Sequence, residues 1–145
     1  MVTGEDIGVH LVDGSGLSTE DRVSAYTFLK YLVRFPSTSQ GHNFPLLLPA
    51  NGDGTLRKLS GAALGQGVVR AKTGTLGNVS SLVGYLGHRD GMLVVSVLYN
   101  GGRVYAAKQQ QWALFKTLGA QGTPVFQDVP SEEVLGGEDR TVPPR

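Results

Sequence analysis

The sequence predicts an α+β fold in which helices flank an antiparallel sheet. Segments 68–75, 79–86 and 92–99 are alternating or apolar, which is typical of strands, and short turn sequences separate them. Amphipathic segments at 24–35 and 103–118 have the spacing of helices that cover a sheet. Glycine supplies 21 of 145 residues, about twice its usual share, and many of these glycines fall in the predicted turns.

The first helix is predicted at residues 24–35. Ser24 can accept a hydrogen bond from the first turn as an N-cap, and Pro36 ends the helix because its ring disfavours helical geometry in the preceding residue. Ser18 is a second candidate N-cap, with acidic residues placed for a first turn after it.

Two glycine-rich clusters predict turns, Asp-Gly-Ser-Gly at 13–16 and Asn-Gly-Asp-Gly at 51–54. Between them, 44–48 is apolar but flanked by prolines, which indicates an edge or loop segment. After the second cluster, 56–64 has the composition of a short helix.

The three strands form the centre of the predicted fold. Alternation in 68–75 places Val69, Ala71 and Thr73 on one face and Lys72 on the other. Turn sequences follow the first and second strands. The third strand, 92–99, is almost entirely apolar, which predicts burial on both faces.

The helix at 103–118 has Lys116 in its last turn, and Gly119 is placed to end it. Beyond it the composition changes, because 120–145 is rich in proline and acidic residues. We therefore divide the chain into a folded segment, 1–119, and a tail, 120–145, that we expect to be poorly ordered.

Composition excludes several classes of function. The net charge of +1 gives no reason to expect a nucleic acid partner, and the absence of cysteine excludes disulfides, thiolate metal sites and cysteine nucleophiles. No apolar run approaches the roughly 20 residues of a membrane span. The first ten residues lack the apolar core of a signal peptide.

Other motifs in the sequence are weak. A phosphate-binding loop needs glycines before Lys72 that the chain does not have, and Ser15 lacks the first glycine of a hydrolase elbow. Asp53 lacks the later oxygen ligands of a calcium loop. The three histidines share no ligand spacing, so we expect no metal site, and none of the motifs implies an organic cofactor.

The segment 70–75, Arg-Ala-Lys-Thr-Gly-Thr, offers a defined set of chemical groups. Lys72 supplies a cation, Thr73 and Thr75 supply hydroxyls, and Gly74 permits close approach of a ligand backbone. These groups suit an anionic, peptide-like ligand lying along a strand edge. The alternative is an ordinary amphipathic strand with a surface lysine.

Three stretches, in this order, resemble the C-terminal part of class C penicillin-binding proteins, the serine D-alanyl-D-alanine carboxypeptidases and endopeptidases. The stretches are 12–18 with 22–24, 46–49 leading into 53–57, and 69–76 followed by 79–85. They cover about residues 9–118. The resemblance implies a β-lactamase/transpeptidase-like domain with a five-stranded antiparallel sheet, of which about three strands lie in this chain.

The resemblance also implies roles for the Lys-Thr-Gly-Thr residues. Lys72 would assist proton transfer and orient the substrate. Thr73, Gly74 and Thr75 would form the substrate-binding strand, with the two threonines binding the terminal carboxylate of a peptide or a β-lactam. The backbone N–H of Thr75 would supply half of an oxyanion hole.

The family's nucleophile motif, Ser-x-x-Lys, does not occur in this chain, since none of its serines has a lysine three residues later. Ser-x-Asn is also missing, and the nearest look-alike is Thr27-Phe-Leu-Lys30. The resemblance places both motifs before residue 1. We therefore expect a segment of a larger enzyme that is inactive alone.

The resemblance implies peptidoglycan D-Ala-D-Ala peptides and β-lactams as ligands, and a place in the periplasm or elsewhere in the extracytoplasmic envelope. An N-terminal portion made separately is a further possible partner. The alternative function is a non-catalytic module that binds peptidoglycan peptides or pairs its exposed sheet edge with another protein.

Overall fold

The computed structural model describes residues 8–125. The N-terminal part begins with a small antiparallel pair, β1 (Val9–His10) and β2 (Arg22–Val23). Helix α1 (Ala25–Arg34) follows, and a 3₁₀ turn (Phe35–Ser37) extends it. Helix α2 (Phe44–Leu47) is a single turn.

The C-terminal part contains a second 3₁₀ turn (Gly54–Leu56) and then the main sheet. Its strands are β3 (Val69–Leu76), β4 (Val79–His88) and β5 (Gly91–Asn100), in the spatial order β3-β4-β5 with antiparallel pairing throughout. Helix α3 (Val104–Gly119) follows directly. The predicted α+β architecture, with three antiparallel strands between helices, is confirmed.

The sheet separates two apolar clusters, one on each face. On one face, Phe115 and Trp112 of α3 pack with Val69, Ala71 and Leu82 of the sheet. On the other face, Tyr85 of β4 packs with Leu32 of α1, and its hydroxyl donates a hydrogen bond of 2.7 Å to the Leu32 carbonyl. Alternate residues of each strand therefore pack against different helices. We refer to the side of the sheet covered by α3 as the α3 face and to the side covered by α1 as the α1 face.

Ser24 caps α1 as predicted, because its hydroxyl accepts the Thr27 N–H at 3.0 Å. The expectation of a helix beginning at Ser18 is wrong. The Ser18 hydroxyl accepts the Glu20 N–H at 3.2 Å within a turn, and the chain then enters β2. Serine is favoured both at helix N-caps and in turns, so the residue type alone does not distinguish the two.

The prediction of an edge or loop segment at 44–48 is also wrong, since α2 occupies most of it. Pro45 lies in the first turn of this helix, where its missing N–H costs nothing. The Arg70 guanidinium then donates hydrogen bonds of 3.1 and 3.3 Å to the carbonyls of Leu46 and Leu48, which ties α2 to β3.

The predicted helix at 56–64 is replaced by the 3₁₀ turn and a series of tight turns. Its leucines, Leu56, Leu59 and Leu64, all enter the core of the α3 face without helical geometry. Tertiary burial of these side chains therefore overrides the local helical pattern.

Asn51 fixes the start of β3 from the glycine-rich turn beside it. This side chain is 2% exposed. Its Oδ1 accepts the Val69 N–H at 2.9 Å, and its Nδ2 donates to the Gly65 carbonyl, also at 2.9 Å. Because both polar ends of a buried amide are paired, the loop and the strand hold a single register.

Strand β5 was predicted to be buried on both faces, and this is wrong, because none of its residues is fully buried. Val95 and Val97 pack against the core of the α3 face, and Val94 packs against that of the α1 face. The strand is apolar because it contacts both layers, but among the described residues it pairs only with β4 and so forms an edge.

Residues 121–125 return to the sheet after α3. The N–H of Val125 donates to the Gly67 carbonyl at 2.9 Å, and Val125 is buried in the cluster with Tyr85. The rest of the tail that the sequence predicts to be poorly ordered, from residue 126 onward, lies outside the described residues.

Candidate active-site strand and its basic cleft

One edge of β3 is paired with residues 49–51 at its beginning, and no described residue pairs with it beyond Ala71. The carbonyl of Val69 accepts the Asn51 N–H at 3.0 Å, and the N–H of Ala71 donates to the Pro49 carbonyl at 3.1 Å. Odd-numbered residues of β3 therefore point their backbone groups away from β4. Further along, Thr73 and Thr75 point the same way, and no described segment pairs with them there.

The side chains of these odd-numbered residues lie on the α3 face. Thr73 is opposite Leu82, which belongs to the core under α3. Beyond that core, Thr73 and Thr75 line an open cleft of about 500 Å³. The hydroxyls of these threonines thus lie beside the same stretch of edge that presents their backbone N–H groups.

Lys72 projects from the opposite face of the strand. It is opposite Val83, which packs against the cluster containing Leu32. The exposed ammonium bends toward the open edge and donates a hydrogen bond of 2.8 Å to the Thr73 carbonyl. The lysine and the threonine side chains therefore flank the edge from its two sides.

Gly74 lies in the open part of β3, opposite Ser81 of β4. A Cβ at this position would meet the Ser81 hydroxyl, which a change of rotamer can move away. The absence of a side chain at Gly74 leaves this part of the strand accessible to the backbone of a ligand, as the sequence predicts.

The cleft contains residues that the sequence did not single out. Its remaining polar lining includes Thr55, Arg57 and Lys58 from the turns after α2, and α3 contributes Lys108 and Trp112. In the sequence, the spacing of four residues between Lys108 and Trp112 indicates only that the two side chains share one face of a helix. It does not indicate that this face lines a cleft.

The hydroxyl nearest in pattern to a nucleophile, Thr27 of Thr27-Phe-Leu-Lys30, belongs to the cap of α1. Its Oγ1 lies 2.9 Å from the Ser24 Oγ, and its N–H bonds the same oxygen. The Lys30 ammonium lies 5.4 Å from the centroid of the Tyr26 ring. This arrangement stabilises the helix start.

The Asp-Gly-Ser-Gly segment forms a self-contained loop. The Asp13 carboxylate accepts N–H groups from Gly16 at 2.9 Å and from Ser15 and Ser18 at 3.1 Å each. The bond from Gly16, followed by the side-chain bond from Ser15, lowers the pKa of Asp13. These bonds account for the turn that the sequence predicts.

Within residues 8–125, no group of three or more acidic, histidine or cysteine side chains could hold a metal ion. Among the same residues, no helix has the length and apolar character needed to cross a membrane.

Comparison with solved structures supports the fold. A predatory endopeptidase of Bdellovibrio bacteriovorus, solved in complex with an immunity protein, matches 81% of this chain and 34% of its own, with a TM-score of 0.61 and 17% identity. A second predatory endopeptidase of the same organism matches equally well, with 16% identity.

Sequence comparison gives closer relatives. A D-alanyl-D-alanine carboxypeptidase of Actinomadura sp. (strain R39) is 37% identical over 100 residues, which are 65% of this chain and 19% of that protein. A carboxypeptidase of Mycobacterium tuberculosis is 42% identical over 94 residues, or 60% of this chain and 20% of the relative. The chain thus spans about a fifth of the length of these relatives.

The family model for D-Ala-D-Ala carboxypeptidase 3 (S13) matches residues 5–119, a range that contains the open edge of β3, the Lys-Thr-Gly-Thr residues and the basic cleft. The resemblance inferred from the three motif stretches is therefore confirmed, and the chain belongs to the D-Ala-D-Ala carboxypeptidase 3 (S13) family.

Proposed function

We propose that this chain is the substrate-holding C-terminal segment of a serine-type D-Ala-D-Ala carboxypeptidase or endopeptidase that acts on peptidoglycan stem peptides outside the cytoplasm. The open edge of β3 carries the proposal. It presents the backbone groups of Thr73 and Thr75 toward solvent, with the Lys72 ammonium beside them. An extended peptide can add to such an edge through main-chain hydrogen bonds.

Each residue has a distinct role in this proposal. The N–H groups of Thr73 and Thr75 bind the peptide, and the N–H of Thr75 doubles as an oxyanion donor. Lys72 orients the peptide and assists proton transfer once a nucleophile is present. Gly74 permits close approach of the peptide backbone to the strand. The catalytic serine and its lysine are not encoded in this chain, so it binds without forming an acyl-enzyme.

Incubation with excess penicillin tests the missing nucleophile. The intact mass of the 145-residue chain should remain unchanged, because acylation needs an activated hydroxyl beside the oxyanion donors. A stoichiometric adduct would show that another residue acts as the nucleophile, and peptide mapping would identify that residue. A relative that contains Ser-x-x-Lys provides the positive control.

A peptide-binding measurement tests the proposed role of the open edge of β3. The chain should bind an N-acetylated D-Ala-D-Ala peptide saturably and without turnover, and it should bind the L-Ala-L-Ala enantiomer more weakly. Lys72→Ala should weaken binding roughly tenfold, since hydrogen bonds to charged groups contribute about 1.5–3 kcal/mol. Lys116→Ala, on the exposed side of α3, is the matched control and should bind normally. Equal binding of the two enantiomers would contradict the proposal.

A further inference from the structure

The cleft beside the open edge of β3 is uniformly basic. Arg57 and Lys58 follow the 3₁₀ turn, Lys108 comes from α3, and no carboxylate lines the cleft among residues 8–125. The carboxylate of Asp90 lies away from the cleft, at the β4–β5 turn, where it pairs with His88 and Arg89. Three positive charges therefore share one concavity without a described acidic partner.

This arrangement favours an anion. Several positive charges around one cleft raise the local positive potential, which attracts an anion. The hydroxyls of Thr55, Thr73 and Thr75 line the same cleft and can donate hydrogen bonds to an oxyanion. The cleft thus combines charge with directional donors, as an oxyanion site requires.

One of the cations lies over an aromatic side chain of the core. The Lys108 ammonium lies 5.4 Å from the centroid of the Trp112 ring, one helical turn away. Trp112 is 9% exposed and packs in the same cluster as Phe115. Because the ring is fixed, Lys108 needs little reordering to meet a ligand.

We propose that this basic cleft, defined by Arg57, Lys58 and Lys108, is an oxyanion site that supplies the positive charge for the terminal carboxylate of a peptide lying on β3. The inference rests on the proposed function. A carboxylate that accepts hydrogen bonds from the Thr73 and Thr75 side chains lies on the α3 face, among these cations. Lys72 projects from the other face and bonds the Thr73 carbonyl.

Trp112 offers a direct readout, because it is the chain's single tryptophan and it lines the cleft. Titration of the 145-residue chain with inorganic phosphate, at constant ionic strength, should change its fluorescence saturably. Chloride over the same range should not. A phosphate response that matches the chloride response would overturn the oxyanion site.

The double variant Lys58→Gln/Lys108→Gln should weaken phosphate binding on the order of tenfold, because each partly exposed charge pair contributes up to about 1 kcal/mol and the two act on one ligand. Lys116→Gln removes a positive charge from the same helix outside the cleft and should bind phosphate normally. Unchanged binding in the double variant, with the fold intact by circular dichroism, would overturn the assignment.

Two peptides identify the source of the oxyanion. The D-Ala-D-Ala acid should bind more tightly than its C-terminal amide, and the double variant should reduce this difference. Equal affinities would overturn the carboxylate assignment. If phosphate binds but neither peptide does, the proposed function fails and the cleft remains a site for a free oxyanion.

Discussion

Replacing Gly84 with alanine should lower the free energy of unfolding by roughly 3 kcal/mol or more and abolish peptide binding at the open edge. Gly84 of β4 is opposite Ala71 of β3. A Cβ at Gly84 would lie 2.5 Å from the Ala71 Cα and would also collide with the Arg70 carbonyl. The obstacle is backbone, which no rotamer change can relieve, so β3 must move away from β4.

Urea unfolding of the Gly84→Ala variant measures the loss of stability. Gly77→Ala is the matched control, because it lies in the turn between the same strands and a Cβ there meets nothing within 4 Å. We expect this control to change stability by no more than about 0.5 kcal/mol. Similar losses in both variants would show that the effect belongs to glycine replacement in the hairpin, and would contradict the argument from close approach.

Replacing Phe115 with alanine should cost roughly 3–5 kcal/mol, because it removes a large side chain and leaves a cavity between α3 and the sheet. Phe115 is 0% exposed and lies in the core with Trp112, Val69 and Leu82. Since α3 also carries Lys108, loosening this contact should disturb the basic cleft as well as the fold.

Chemical denaturation measures the loss of stability, and the fluorescence of Trp112 in the folded protein reports the change in the cleft. Leu114→Ala is the control, because Leu114 lies next to Phe115 on the same helix but its side chain is 42% exposed. It should change stability by much less than Phe115→Ala. If the two variants were equally destabilised, the packing of α3 on the sheet would differ from the one described.

The sheet and its flanking helices were predictable because their patterns are local. Alternation in β3, capping by Ser24 and the apolar stripe of α3 each arise from residues close in sequence. The predictions failed where distant contacts decide the structure. The Arg70 side chain bonds carbonyl groups of α2 from a distant strand, and the leucines after residue 54 enter a core that later strands complete.

The candidate site was predictable to a similar degree. The Lys-Thr-Gly-Thr residues stand out as a motif, and alternation correctly separates Lys72 from Thr73. The cleft could not be predicted, because Arg57, Lys58 and Lys108 are separated by up to 51 residues and share no motif. Only the packing of α3 over the sheet brings them together.

The two short connections within the main sheet also bear on how the molecule folds. Two residues join β3 to β4 and two join β4 to β5, and α3 begins four residues after β5 ends. Contacts among these elements therefore close short loops, which lowers the entropy cost of forming them and favours rapid folding. The strand that carries the candidate site belongs to the part of the chain whose contacts form most readily.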